Sequence, residues 1–146
     1  MKKIFGIIVT GCLLALLVAV PAHAQLPGAP MRLSIPFDFT VRGKALPAGE
    51  YEVSRIGDEP ISLLIRNVND KHAHVVFETE PAYAGTYPKK GELVFHRYGD
   101  SYFLSEVVTA GEDTARELTP SRQERQLQHE MASNKTEPDT VAVVVN

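Results

Sequence analysis

The side chains in this 146-residue chain best suited to chemistry are His72, His74 and Glu78. Alternate residues of a β-strand share a face, so His72-x-His74-x-x-x-Glu78 would set two imidazoles about 7 Å apart with a carboxylate farther along the same side. Imidazole and carboxylate together suit zinc, manganese or iron, and His96, on another predicted strand, would complete the set. The competing reading leaves His72 and His74 in solvent beside a turn, with His96 half-buried and donating to a neighbour. Tyr83 and Tyr87 form a second candidate, an aromatic platform for a sugar or peptide, against a purely packing role over an open end of a sheet. Nucleophilic catalysis has no support: the chain lacks a Gly-x-Ser-x-Gly elbow, and a tight hairpin keeps Ser105, His96 and Asp100 apart. Glu50 and Glu52 share a strand face, expected to be solvated. Arg97 and Glu106 are expected to pair diagonally across two strands, and Arg122 and Arg125 to pair with the flanking Glu124 and Glu130 on a helix.

The histidine pattern resembles the first motif of the cupin family, His-x-His followed after three or four residues by Glu, with Gly85 where the closing glycine falls. Arg66 stands in the place of the opening glycine, and His96 lies outside any Pro-x-Gly-x-x-His second motif. That resemblance implies a small metal-dependent enzyme using His72, His74, Glu78 and His96. The bland reading of the same residues expects no cofactor, and it is the one adopted.

What must position these residues is a set of period-two segments. Leu93 to Val108 reads as a hairpin turning at Gly99-Asp100, in which a leading glycine suits a type II′ turn. The two-residue loop sets Tyr98 opposite Ser101, His96 opposite Phe103, Phe95 opposite Leu104, Val94 opposite Ser105 and Leu93 opposite Glu106. Neither face of this hairpin is wholly polar, so it belongs inside a sheet covered on both sides. Leu33, Ile35, Phe37, Phe39 and Val41 alternate with polar residues in one predicted strand, placed at an edge or bulged because Pro36 cannot donate to a ladder. Further strands are expected around Tyr51 and Val53, over 61–68 and 72–79, and over 114–118, with a long aperiodic loop from Glu80 to Gly91. Ser121-Arg122-Gln123-Glu124 is a capping box that starts a helix with a thin apolar stripe, Leu127 and Met131. The expected fold is all-β: one antiparallel sandwich or partly closed barrel of about seven or eight strands with a short C-terminal helix. It divides into a lead-in over 25–31, a β-domain over 32–120, a helix over 121–133, and a polar linker and β-prone tail over 134–146. Val141–Val145 would either add an edge strand or pair with another molecule.

Residues 1–24 form a separate segment: Lys2 and Lys3, an apolar run from Ile4 to Val20, and Ala22-His23-Ala24 as a cleavage site. This predicts an exported protein, periplasmic or extracellular, cut after Ala24 and left without a stable membrane span. Val9-Thr10-Gly11-Cys12 looks like a lipobox, but lipidation there would leave a long apolar stretch on the mature chain. Cys12 is the only cysteine, so cleavage at Ala24 excludes disulfides, thiolate nucleophiles and Cys-ligated zinc. Two of the 15 basic residues leave with the leader, so the remaining 13 face 18 acidic ones, a net charge of −5. Without a basic run, nucleic acid is not an expected partner.

Ile35-Pro-Phe-Asp-Phe39, Leu46-Pro-Ala-Gly-Glu-Tyr-Glu-Val53, Leu93-Val-Phe-His-Arg-Tyr-Gly-Asp100, Tyr102-Phe-Leu-Ser-Glu-Val107 and Ser121-Arg-Gln-Glu-Arg125 together resemble a family of small exported bacterial proteins of uncharacterised function. The resemblance implies one exported domain and assigns no activity, cofactor or residue role. The expected function is therefore an exported non-enzymatic β-domain, structural or binding, with a cupin-like enzyme and a small-ligand carrier as alternatives. N-terminal sequencing of the protein recovered after export is expected to begin at Gln25; an intact leader or a lipidated Cys12 would contradict this.

Overall fold

Pro36 decides how the chain is shared between two sheets. In the computed structural model, which describes residues 29–58, 61–85 and 87–145, Leu33 to Val41 is two strands rather than one. β1 (Met31–Ile35) belongs to one sheet and β2 (Phe39–Val41) to the other. With no amide at Pro36 to continue the ladder, the chain leaves the first sheet after Ile35 and crosses. Phe37 fills the crossing, its ring stacked on Tyr102 with 3.9 Å between centroids and edge-on to Phe95 at 5.2 Å. Asp38 Oδ1 accepts the amide of Ala48 at 2.8 Å, which holds the Leu46-Pro47-Ala48-Gly49 turn against the crossing. The predicted leader, with its expected cleavage site and Cys12, lies outside the described residues.

The remaining elements are β3 (Lys44–Leu46), β4 (Gly49–Arg55), β5 (Ser62–Asn67), β6 (His74–Glu78), β7 (Glu80–Tyr83), β8 (Glu92–Tyr98), β9 (Ser101–Val108), β10 (Thr114–Glu117), α1 (Arg122–Ser133) and β11 (Asp139–Val144). The first sheet runs β1-β4-β5-β6 and the second β11-β8-β9-β10-β7, antiparallel throughout. β10 pairs with only the end of β9, at Glu106 and Val107, and β2 pairs in parallel with β9 at Phe103. The sandwich is therefore as expected and the barrel is not: the sheets do not close. Eleven strands occur among the described residues instead of seven or eight. The excess comes from the break at Pro36, from β3, and from β7, which takes the first four residues of the expected loop. Pro81 is tolerated in β7 because that strand is an edge. Val141–Val145 adds an edge strand, β11, along β8, and Val145 N donates to Gly91 O at 2.9 Å.

Inward-facing Leu33, Ile35, Tyr51, Val53, Leu63, Ile65, Leu93, Phe95, Leu104 and Val107 form the core between the sheets. The hairpin turn is type II′ as expected, since Gly99 has φ +62° and Asp100 is not in the positive region. Its register holds from Tyr98↔Ser101 to Phe95↔Leu104 and then slips by one. Ser105 is the extra residue of a β-bulge, its hydroxyl donating to Val94 O at 3.0 Å. The bulge corrects the expected faces: Val107 joins Leu93 in the core, and Glu106 turns to the outer side opposite Val94 and beside Glu117. There burial, then Glu117 and Glu92, push the Glu106 carboxyl above the usual glutamate range. Arg97 does not reach Glu106. Its Nε donates to Gly99 O at 2.7 Å and its guanidinium lies over the Tyr102 ring.

α1 covers the other side of the hairpin, through a polar contact. Ser121 caps it by accepting Glu124 N at 3.1 Å, but the Glu124 side chain does not close the capping box. It turns to the sheet instead, where Glu124 Oε1 accepts His96 Nδ1 at 3.0 Å and the Tyr98 hydroxyl at 3.3 Å. Glu124 is the one buried residue of the helix; Leu127 and Met131 are only half covered. Glu124→Ala removes the acceptor shared by two groups of the sheet and is expected to cost about 1–3 kcal/mol in urea unfolding, whereas Glu130→Ala on the exposed face should leave the midpoint unmoved.

Candidate functional site

β6 begins at His74, so His72 lies in the preceding turn with its amide donating to Asp70 Oδ1 at 2.9 Å. His74 and Glu78 stand exposed on β6 at the edge of the first sheet. His96 is on the second sheet, engaged by Glu124 of α1. The four residues of the cupin-like set are thus not brought together, and no group of three or more His, Cys, Asp or Glu placed to hold a metal ion occurs among the described residues. Tyr83 and Tyr87 stand in solvent, 81 % and 69 % exposed, and Tyr83 donates to Gly85 O at 3.0 Å. A partly open pocket lined by Met31, Val53, Arg55, Leu63, Val107 and Arg116 holds about 20 Å³, room for about one water.

What the fold does gather is a row across the outer face of the first sheet. Register sets Arg32 of β1 opposite Glu52 of β4, Glu52 opposite Arg66 of β5, and Arg66 opposite His74 of β6. Period two alone places Glu52 on a solvated face, yet its side chain is only 8 % exposed because two arginines lie over it. Its Oε2 accepts Arg32 Nε at 2.9 Å; its Oε1 accepts Arg66 Nη2 at 2.6 Å and Arg66 Nε at 3.2 Å. Hydrogen bonds from Arg66 and then Arg32 outweigh burial and hold the Glu52 carboxyl below the usual glutamate range. The arginines are themselves 73 % and 55 % exposed, so solvent screening keeps the stabilising share of these pairs small. Arg32 Nη1 and Nη2 and Arg66 Nη1 make no hydrogen bond among the described residues.

The rim is built by the turn between β5 and β6. Asn67 Oδ1 accepts the amides of Asn69 and Asp70 at 2.9 and 3.0 Å, folding the turn back over the sheet. Gly49 makes this possible, since a Cβ there would lie 2.8 Å from Asn67 Nδ2. The turn sets Lys71 beside His74, whose Nδ1 donates to Lys71 O at 2.9 Å. Lys44 Nζ from β3 donates to His74 O at 2.8 Å. Arg32, Glu52, Leu64, Arg66, Lys71 and His74 are among the residues lining a depression of about 410 Å³. Three cations around one carboxylate give it a local charge of +2 with His74 neutral, on a chain whose residues 25–146 carry −5.

His74 is the one member of the cupin-like set found here. Arg32 and Arg66 carry no motif, and their signal is only parity: each sits on the outward row of its strand. What joins them is register between strands far apart in sequence, which no local pattern records. A carboxyl held low contributes stability at neutral pH that is lost as pH falls through its lowered folded-state pKa. The stability difference between wild type and Glu52→Gln, followed by urea midpoints, is therefore expected to hold from neutral pH down to about pH 5 and to shrink as pH falls further; a pH-independent difference would contradict the pairing. No protein-family model, curated protein or solved structure matches this chain.

Proposed function

We propose that the chain is an exported, non-enzymatic binding domain, with the sandwich as a rigid mount and the outer face of the first sheet as the contact surface. Export is read from residues 1–24 and from the resemblance to small exported proteins. The observation that carries the reading is the Arg32–Glu52–Arg66–His74 row, with Lys71 at its rim. Here one buried carboxylate orients two largely exposed arginines and leaves three of their nitrogens without a hydrogen bond among the described residues. Strand-borne groups held in this way lose little freedom when they meet a partner, which favours binding. The local sign also opposes the sign of the whole, so anionic partners are steered to one face.

The protein purified after export is expected to be retained on dextran sulfate at low ionic strength and released by salt, despite its net negative charge. Arg32→Ala/Arg66→Ala should run in the flow-through while Arg122→Ala/Arg125→Ala, at the helix start, is retained like wild type. Loss of retention in the helix variant, with the row variant unaffected, would place the contact surface elsewhere and overturn the reading.

A further inference from the structure

We infer that the depression over Glu52 is a site for a phosphate monoester, an inference that rests on the outer face of the first sheet being the contact surface. Charge is the first argument. Arg32, Arg66 and Lys71 against Glu52 leave +2 at the site, and a phosphate monoester carries about −1.5 to −2 at neutral pH. A single carboxylate would leave one cation uncompensated. Geometry is the second argument. Arg32 and Arg66 are two strands apart, so their backbones lie about 10 Å from each other, and both guanidiniums lean toward the Glu52 between them. The nitrogens that Glu52 leaves unbonded, on largely exposed side chains, are planar N–H donors, which suit phosphate oxygens better than an ammonium does.

Orientation is already provided by the protein. Glu52 fixes Arg66 through two nitrogens and Arg32 through one, and the bond from His74 Nδ1 to Lys71 O turns Nε2 of that ring away from the turn. The organic part of the ester has its own surface. Leu64 and Val68 line the same depression, and Val76, opposite Leu64 on β6, is 59 % exposed. A phosphate on the arginines would leave its aliphatic or glycerol substituent lying over these three side chains. Such a group can come from a soluble ester or from a lipid headgroup, and the recognition chemistry is the same.

The test is titration of the exported protein, labelled with ¹⁵N, with glycerol 3-phosphate, inorganic phosphate and acetate at constant ionic strength. Saturable shifts are expected at the Arg32 and Arg66 Nε–H signals and at the amides of Lys71 and His74 with both phosphates, and none with acetate. Arg66→Lys keeps the charge but not the fork, and should weaken glycerol 3-phosphate binding by at least about tenfold; Arg122→Ala should leave it unchanged. Cosedimentation with phosphatidic acid vesicles, displaced by glycerol 3-phosphate, would identify the lipid as the source; binding of the soluble ester alone would identify a small molecule. An equal response to acetate and phosphate overturns the inference. So does silence toward both phosphates, and if retention on dextran sulfate through Arg32 and Arg66 persists in that case, the contact surface stands and the ligand class falls.

Discussion

The missing amide of Pro36 is the constraint on which the architecture depends. Because the ladder of β1 cannot extend past Ile35, the chain is handed to the second sheet within three residues, and one period-two run supplies strands to both layers. Phe37 then sits at the crossing between Phe95 and Tyr102, and Asp38 ties the crossing to the turn before β4. Without that break, Phe39 and Val41 would continue an edge of the first sheet, and the free half of β9 would lack the partner that β2 provides.

Polar groups finish what apolar packing begins. In each of two places a carboxylate from a face expected to be solvated is buried and shared by two donors: Glu52 beneath Arg32 and Arg66, and Glu124 beneath His96 and Tyr98. Their consequences differ. Glu124 spends its bonds inside the molecule, clamping a helix whose apolar stripe is too thin to dock alone. Glu52 spends its bonds on side chains that stay largely exposed, so the same device that satisfies a buried charge also presents a cationic surface.

Local pattern was enough for much of the fold and little of the site. Alternation located most strands, Gly99 located the hairpin turn, and Ser121 located the helix cap, because each signal is contained within a few residues. The bulge at Ser105 was invisible because nothing local distinguishes an extra residue in a strand whose two faces are both partly apolar. β7 is hidden in the sequence because Pro81 is a loop signal that an edge strand nonetheless tolerates. The histidine pattern depended on His72 and His96 sharing a place with His74, and it failed on topology: one lies in a turn and the other in the opposite sheet. The arginine row is legible only after β1, β4, β5 and β6 are set side by side, and that order was not contained in any one segment.

The pairing of β11 with β8 ties the order of folding to a distant segment. Residues near 140 complete a sheet whose first strand, β2, begins at Phe39, and β2 meets partners both near and far along the chain. A high contact order of this kind makes folding wait for distant segments to arrive. Until β11 reaches β8, one side of β8 carries unpaired backbone donors and acceptors, so the ladder is closed only when a segment far downstream has docked.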